Sequence, residues 1–83
     1  MLITAGAYAW LMNLEEYTKE QLWKLLIDTA HSSVMYPTHK GYTRDTILPQ
    51  QANIAPSELA ERLGMSIGEA LVILSELTAE RHA

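Results

Sequence analysis

Near its end the chain carries two helix starts with a helix stop between them, and this constrains the fold more than any other feature. Pro56 and Ser57 open the first helix, since proline is tolerated in a first turn, where its missing N–H would have no intrahelical partner. Residues 57–63, Ser57-Glu58-Leu59-Ala60-Glu61-Arg62-Leu63, follow with apolar and charged side chains at helical spacing. Gly64 can take left-handed backbone at the helix end without the steric penalty of a Cβ. Ser66, with Glu69 three residues on, matches a capping box and restarts the chain as a helix from Ile67 to about Glu80.

Such a helix pair needs a third element to bury its shared apolar side, and an earlier segment supplies one. Thr18-Lys19-Glu20-Gln21 is a second capping box, with Tyr17 and Leu22 placed as a hydrophobic staple. Leu22, Leu25, Leu26, Thr29 and Ala30 recur at helical spacing; Trp23 and Ile27 widen that face, and Lys19, Lys24 and Asp28 are left to water. Ser32-Ser33 ends the helix. The expected fold is therefore all-α with a tri-helical core in one domain, residues 1–83. Its parts are an N-terminal extension over 1–17, a first core helix over 18–33, a long loop over 34–55 and the helix pair over 56–83. Pro37, Gly41 and Pro49 interrupt the loop, and Thr38-His39-Lys40-Gly41 reads as a turn joining Val34-Met35-Tyr36 to Tyr42-Thr43 in a short hairpin. A loop of that length is uncommon in a compact domain and tends to be functional or to hide structure.

Residues 1–11 carry no charge and are rich in alanine, with Tyr8 and Trp10 among them. Met12-Asn13-Leu14-Glu15-Glu16 has the look of a fresh start, so Met12 is an expected alternative initiation site. The extension before it is expected to be helical or extended, laying Trp10 and Leu11 on exposed apolar surface. It lacks the basic n-region of a signal peptide and is too short in apolar residues to span a bilayer, so a cytoplasmic location without membrane partners is expected.

The apolar fraction, 48%, is ample for a core and argues against disorder. The absence of cysteine excludes disulfides and thiolate metal sites, so a domain of 83 residues must rely on helix packing or self-association. His31, His39 and His82 have no metal-ligand spacing, and Asp28 with His31 reads as a solvated pair on one helix face. No Ser–His–Asp context and no glycine-rich phosphate loop are present. The expectation is no catalytic, metal or cofactor site, no evident small-molecule substrate, and no enzyme.

The stretch Ser57-Glu58-Leu59-Ala60-Glu61-Arg62-Leu63-Gly64-Met65-Ser66, followed by Ala70, Leu74 and Leu77, resembles the helix-turn-helix of bacterial and archaeal transcription regulators, a winged-helix-like unit, over about the last third of the chain. In such a unit Ala60 lets the helices approach, Met65 plugs the angle, and Leu59, Leu63, Ala70, Leu74 and Leu77 close the core against the first helix. Ile54 stands where a winged-helix protein places a short strand, and the residues after Leu77 offer no wing. The resemblance implies duplex DNA binding in transcription regulation, as a dimer or within a larger complex. The positions of Ile67, Gly68, Glu69, Val72, Ser75 and Glu76 would then face the groove or the phosphates.

Those positions hold two acids, two large aliphatics, a glycine and a serine, whereas base edges are read mainly by Arg, Lys, Asn and Gln. From Ala55 onward five acids (Glu58, Glu61, Glu69, Glu76, Glu80) face two bases (Arg62, Arg81), and the whole chain carries −4, a poor balance against a polyanion. The candidate nucleic-acid contacts are therefore Ser66 and the basic, aromatic residues Lys40, Tyr42 and Arg44, in a stretch that also holds Tyr36 and His39. The run Ala70-Leu71-Val72-Ile73-Leu74 covers more than one helix face. Either Leu71 and Ile73 flank the core with Val72 exposed, or Ile67, Leu71 and Val72 form an apolar patch covered by residues 1–11 or by a second copy. Trp10, Ile67, Leu71 and Val72 are the candidate protein-interface residues. Two readings stand: a DNA-associated regulator-type domain, and an interaction module that turns the apolar–acidic second helix to docking.

Overall fold

The structure, a computed structural model, describes residues 17–81. It is all-α, with four helices and no strand among the described residues. Helix α1 is Lys19–His31. Helix α2 is composite: an α-helical Tyr36–Tyr42, a π-helical Thr43–Ile47 and a final α-helical Leu48–Gln50. Helix α3 is Pro56–Leu63 and α4 is Ile67–Arg81. Among the described residues no helix is long and apolar enough to cross a membrane. The expected extension over 1–17 and its Trp10 lie outside the described residues, except for Tyr17.

The capping box of α1 is complete. Thr18 Oγ1 accepts from the Gln21 N–H at 3.0 Å, and Gln21 Oε1 accepts from the Thr18 N–H at 2.8 Å. Its buried face is rotated from the expected one: Ala30 is buried with Trp23, Leu26 and Ile27 packed beside it, while Leu22 and Leu25 are 39% and 48% exposed. Thr29 instead donates its hydroxyl to the Leu25 carbonyl at 2.9 Å.

The expected loop and hairpin over 34–55 are overturned, since most of that stretch is helix α2. Pro37 stands in the first turn, where a proline costs nothing, and so starts the helix rather than breaking it. Pro49 falls inside the helix, where its ring would press on the Asp45 carbonyl and its missing N–H would leave that carbonyl without a partner. The chain widens just ahead of it, and the Leu48 N–H reaches back to the Thr43 carbonyl five residues away. This π segment takes up the conflict with one wide turn and lets the helix run on to Gln50. Ile54 is buried in irregular backbone, with no strand at its position.

Helices α3 and α4 follow the sequence closely. Gly64 has φ 69°, and the Ala60 carbonyl accepts from the N–H groups of Gly64 and Met65, which closes α3. Leu59, Ala60, Ala70 and Leu77 are buried, and Leu63, Met65 and Leu74 pack against them. Helix α4 is the hub, touched by α1, α2 and α3 on three sides. Val72 is consequently 0% exposed, as is Ile73, so Val72 belongs to the core and not to an interface. Gly68 explains the phase: a Cβ there would sit 2.8 Å from Leu26 Cδ1, so α1 lies directly on the side of α4 that Gly68 and Val72 share.

Candidate functional site

The chemistry of α4 is divided between two faces. One carries Glu69, Glu76 and Glu80, which share a helical face and turn toward α2. Glu76 is the centre of a network joining three helices. Its Oε1 accepts from the Tyr36 hydroxyl and from Lys40 Nζ at 3.1 Å, and its Oε2 lies 2.6 Å from His31 Nε2. Lys40 Nζ also reaches Glu80 at 2.7 Å, and the His31 ring tilts against Tyr36 with centroids 4.8 Å apart. Closer to the start of α4, His39 Nδ1 meets Glu69 Oε2 at 2.6 Å, with side chains 14% and 9% exposed. Every buried side-chain polar atom among the described residues has a partner.

Electrostatics follow from this packing. Burial pushes the Tyr36 phenol above its ordinary range, and the hydrogen bond to the Glu76 carboxylate pushes it further. The hydrogen bond to Glu80 raises Lys40, with burial working against it and Glu76 adding to it. Burial would raise Glu76, but the hydrogen bonds from Tyr36, His31 and Lys40 prevail and hold it below the usual carboxylate range. The ionised carboxylate is thus the form the fold selects, and its charge is neutralised within the protein.

The other face of α4 is apolar and outward. Ile67 is 56% and Leu71 40% exposed, Leu74 is half-buried and Thr78 exposed. These four recur at spacings of four, three and four, so they form one stripe along the helix. Of the positions that the helix-turn-helix resemblance would turn to DNA, Gly68, Glu69, Val72 and Glu76 face the interior, and only Ile67 and Ser75 face out.

The candidate nucleic-acid residues are not gathered into one site. Lys40 is engaged by Glu76 and Glu80. Arg44 is held by neighbouring Asp45 through Nε at 2.8 Å and a terminal nitrogen at 3.0 Å. Tyr42 is 49% exposed on α2. Ser66 Oγ accepts from the Glu69 N–H at 3.0 Å and so caps α4. Glu76, which marks where Lys40 sits, is ten residues further on, about 15 Å along the helix axis. Of the candidate interface residues, Ile67 and Leu71 are exposed together one helical turn apart, Val72 is buried, and Trp10 lies outside the described residues.

Tyr36 and His39, which the sequence places in the basic, aromatic stretch, instead meet the α4 acids Glu76 and Glu69. The signal for this was present: Tyr36, Lys40, Thr43 and Ile47 recur at spacings of four, three and four, and all four turn inward. The predicted Asp28–His31 pair is replaced by His31 with Glu76. Compared with known proteins, the chain matches no family model, no curated protein and no solved structure.

Proposed function

We propose that the chain is a protein–protein interaction module that self-associates through the outer face of α4. The observation that carries the reading is the outward stripe of exposed Ile67, Leu71 and Thr78 with half-buried Leu74, whose four-three-four spacing is the repeat by which helices pair side by side. A second copy suits this stripe. A chain of net charge −4 repels itself, yet Glu69, Glu76 and Glu80 are turned to α2 and engaged there, so the stripe meets its own image beside Ser75 rather than beside acids. The DNA reading that the helix-turn-helix resemblance implies has less support: Lys40 is neutralised by two carboxylates and the outer face of α4 offers aliphatics and hydroxyls.

Sedimentation equilibrium of the full chain against the Ile67→Glu/Leu71→Glu double variant tests this. Wild type is expected as a concentration-dependent dimer and the variant as a monomer with unchanged helix content. A strictly monomeric wild type at high concentration would overturn the reading. Retention of random duplex at low salt, undiminished in the double variant, would move the function to DNA association through other residues.

A further inference from the structure

A pocket of about 360 Å³ opens where the C-terminal end of α2 meets the end of α4. Its apolar wall is Leu48, Pro49, Ala52 and Leu77, and Arg44, Glu80 and Arg81 stand around it. The volume lies at the lower end of what small organic ligands occupy, and an apolar wall with a few polar groups is the usual composition of such sites. Leu77 is only 2% exposed, so the pocket reaches the core. The π segment contributes as well, since it borders the pocket and runs directly into Leu48 and Pro49.

The charges at the mouth define the ligand. The chain has six Lys and Arg residues in all, and two of them, Arg44 and Arg81, line this one opening. Glu80, the only acid of the lining among the described residues, is drawn to Lys40 Nζ at 2.7 Å. Asp45 holds Arg44 through two hydrogen bonds, but the two side chains are 56% and 65% exposed, so solvent screens the pair and a carboxylate at the mouth competes with Asp45 for the guanidinium. On an acidic protein the mouth is therefore a cationic spot over an apolar wall.

We propose that this pocket binds a small amphipathic carboxylate, an acyl or aryl acid. Its apolar body lies against Leu48, Pro49, Ala52 and Leu77, and its carboxylate is held by Arg44 and Arg81, whose planar forks match that geometry. The pocket is at the opposite end of α4 from Ile67 and Leu71, so ligand binding and self-association are separately testable.

The test is a titration of the full chain with octanoate, octanol and acetate, followed by the backbone amide resonances. Octanoate is expected to shift the amides of Leu48, Ala52, Leu77 and Arg81 saturably, octanol to bind at least about tenfold more weakly, and acetate to give no saturable shift. Arg44→Met with Arg81→Met should weaken octanoate by about tenfold and leave octanol unchanged. Ala52→Phe, at an exposed position that tolerates the larger side chain, should fill the pocket and abolish both. The proposal is overturned if octanoate gives no saturable shift, if octanol binds as tightly as octanoate, or if Ala52→Phe leaves the titration unchanged.

Discussion

Replacing Glu76 by alanine tests the central claim about α4, that its acids hold the fold together. Three groups lose a partner, with unequal consequences. The Tyr36 hydroxyl belongs to a residue only 7% exposed, so a donor left there unpaired costs about 1–3 kcal/mol. Lys40 keeps Glu80 at 2.7 Å, and the His31 side chain, 47% exposed, can turn to water, so each adds only some tenths of a kcal/mol. Relief from desolvating the carboxylate offsets part of the loss. The net expectation is a destabilisation of about 1–3 kcal/mol, or roughly 5–20 °C in Tm for a domain of this size. Glu76→Gln keeps an acceptor for Tyr36 and removes only the charge, so it should lose about 1 kcal/mol. Urea unfolding followed by far-ultraviolet circular dichroism reads both, and an unchanged slope would show that stability alone had moved. A Glu76→Ala variant within about 0.5 kcal/mol of wild type, the range of ordinary surface substitutions, would refute the network as a structural clamp.

Three further outcomes follow from the same structure. Stability should fall at both ends of the pH scale. The contribution of Glu76, whose folded pKa is lowered, is complete above the ordinary carboxylate range and is lost as pH falls through the folded value; those of Tyr36 and Lys40, both raised, are complete below their ordinary values and lost as pH rises through the folded ones. Denaturation midpoints across pH check this, and Glu76→Gln should flatten the acid limb. Gly64→Ala should lose about 1–2 kcal/mol through backbone strain alone, since the new Cβ meets no atom within 4 Å; a neutral result by chemical denaturation would mean that the turn relaxes out of its left-handed form. Leu71→Asp should stay within about 1 kcal/mol of wild type while the adjacent Val72→Asp unfolds the domain by burying a charge, and equal losses would show that the phase of α4 is wrong.

The parts of this fold that were legible in the sequence are those fixed by local chemistry. The capping box of Thr18 with Gln21, the left-handed Gly64 and the Ser66 cap each depend on atoms a few residues apart, and each appears where the sequence places it. Helix α2 was not legible because its breakers act differently in context. Pro37 falls in a first turn and Pro49 behind a π segment, and neither placement can be known until the helix is assumed. The capping box at Ser66 shows the same limit. Ser66 accepts from Glu69, but the Glu69 carboxylate goes to His39, a partner supplied by a helix that local pattern did not reveal.

Recognising α2 as a helix also reassigns the charge of α4. While residues 34–55 read as a loop, Glu69 and Glu76 counted as solvent-facing acids, and they seemed the main obstacle to a phosphate backbone. Placed against α1 and α2, they are engaged by His39, His31 and Lys40 and contribute little to the outer face. The same contact takes Lys40 out of the basic stretch that had been the best candidate for holding phosphate. Lys40, Glu69 and Glu76 are therefore engaged between helices, and what remains outside along α4 is Ile67 and Leu71 with the hydroxyl side chains Ser75 and Thr78, followed in the last turn by Ala79 and the oppositely charged Glu80 and Arg81. A surface of that composition carries little net charge either to attract a polyanion or to repel a second copy, and its helical repeat is what the proposed self-association rests on.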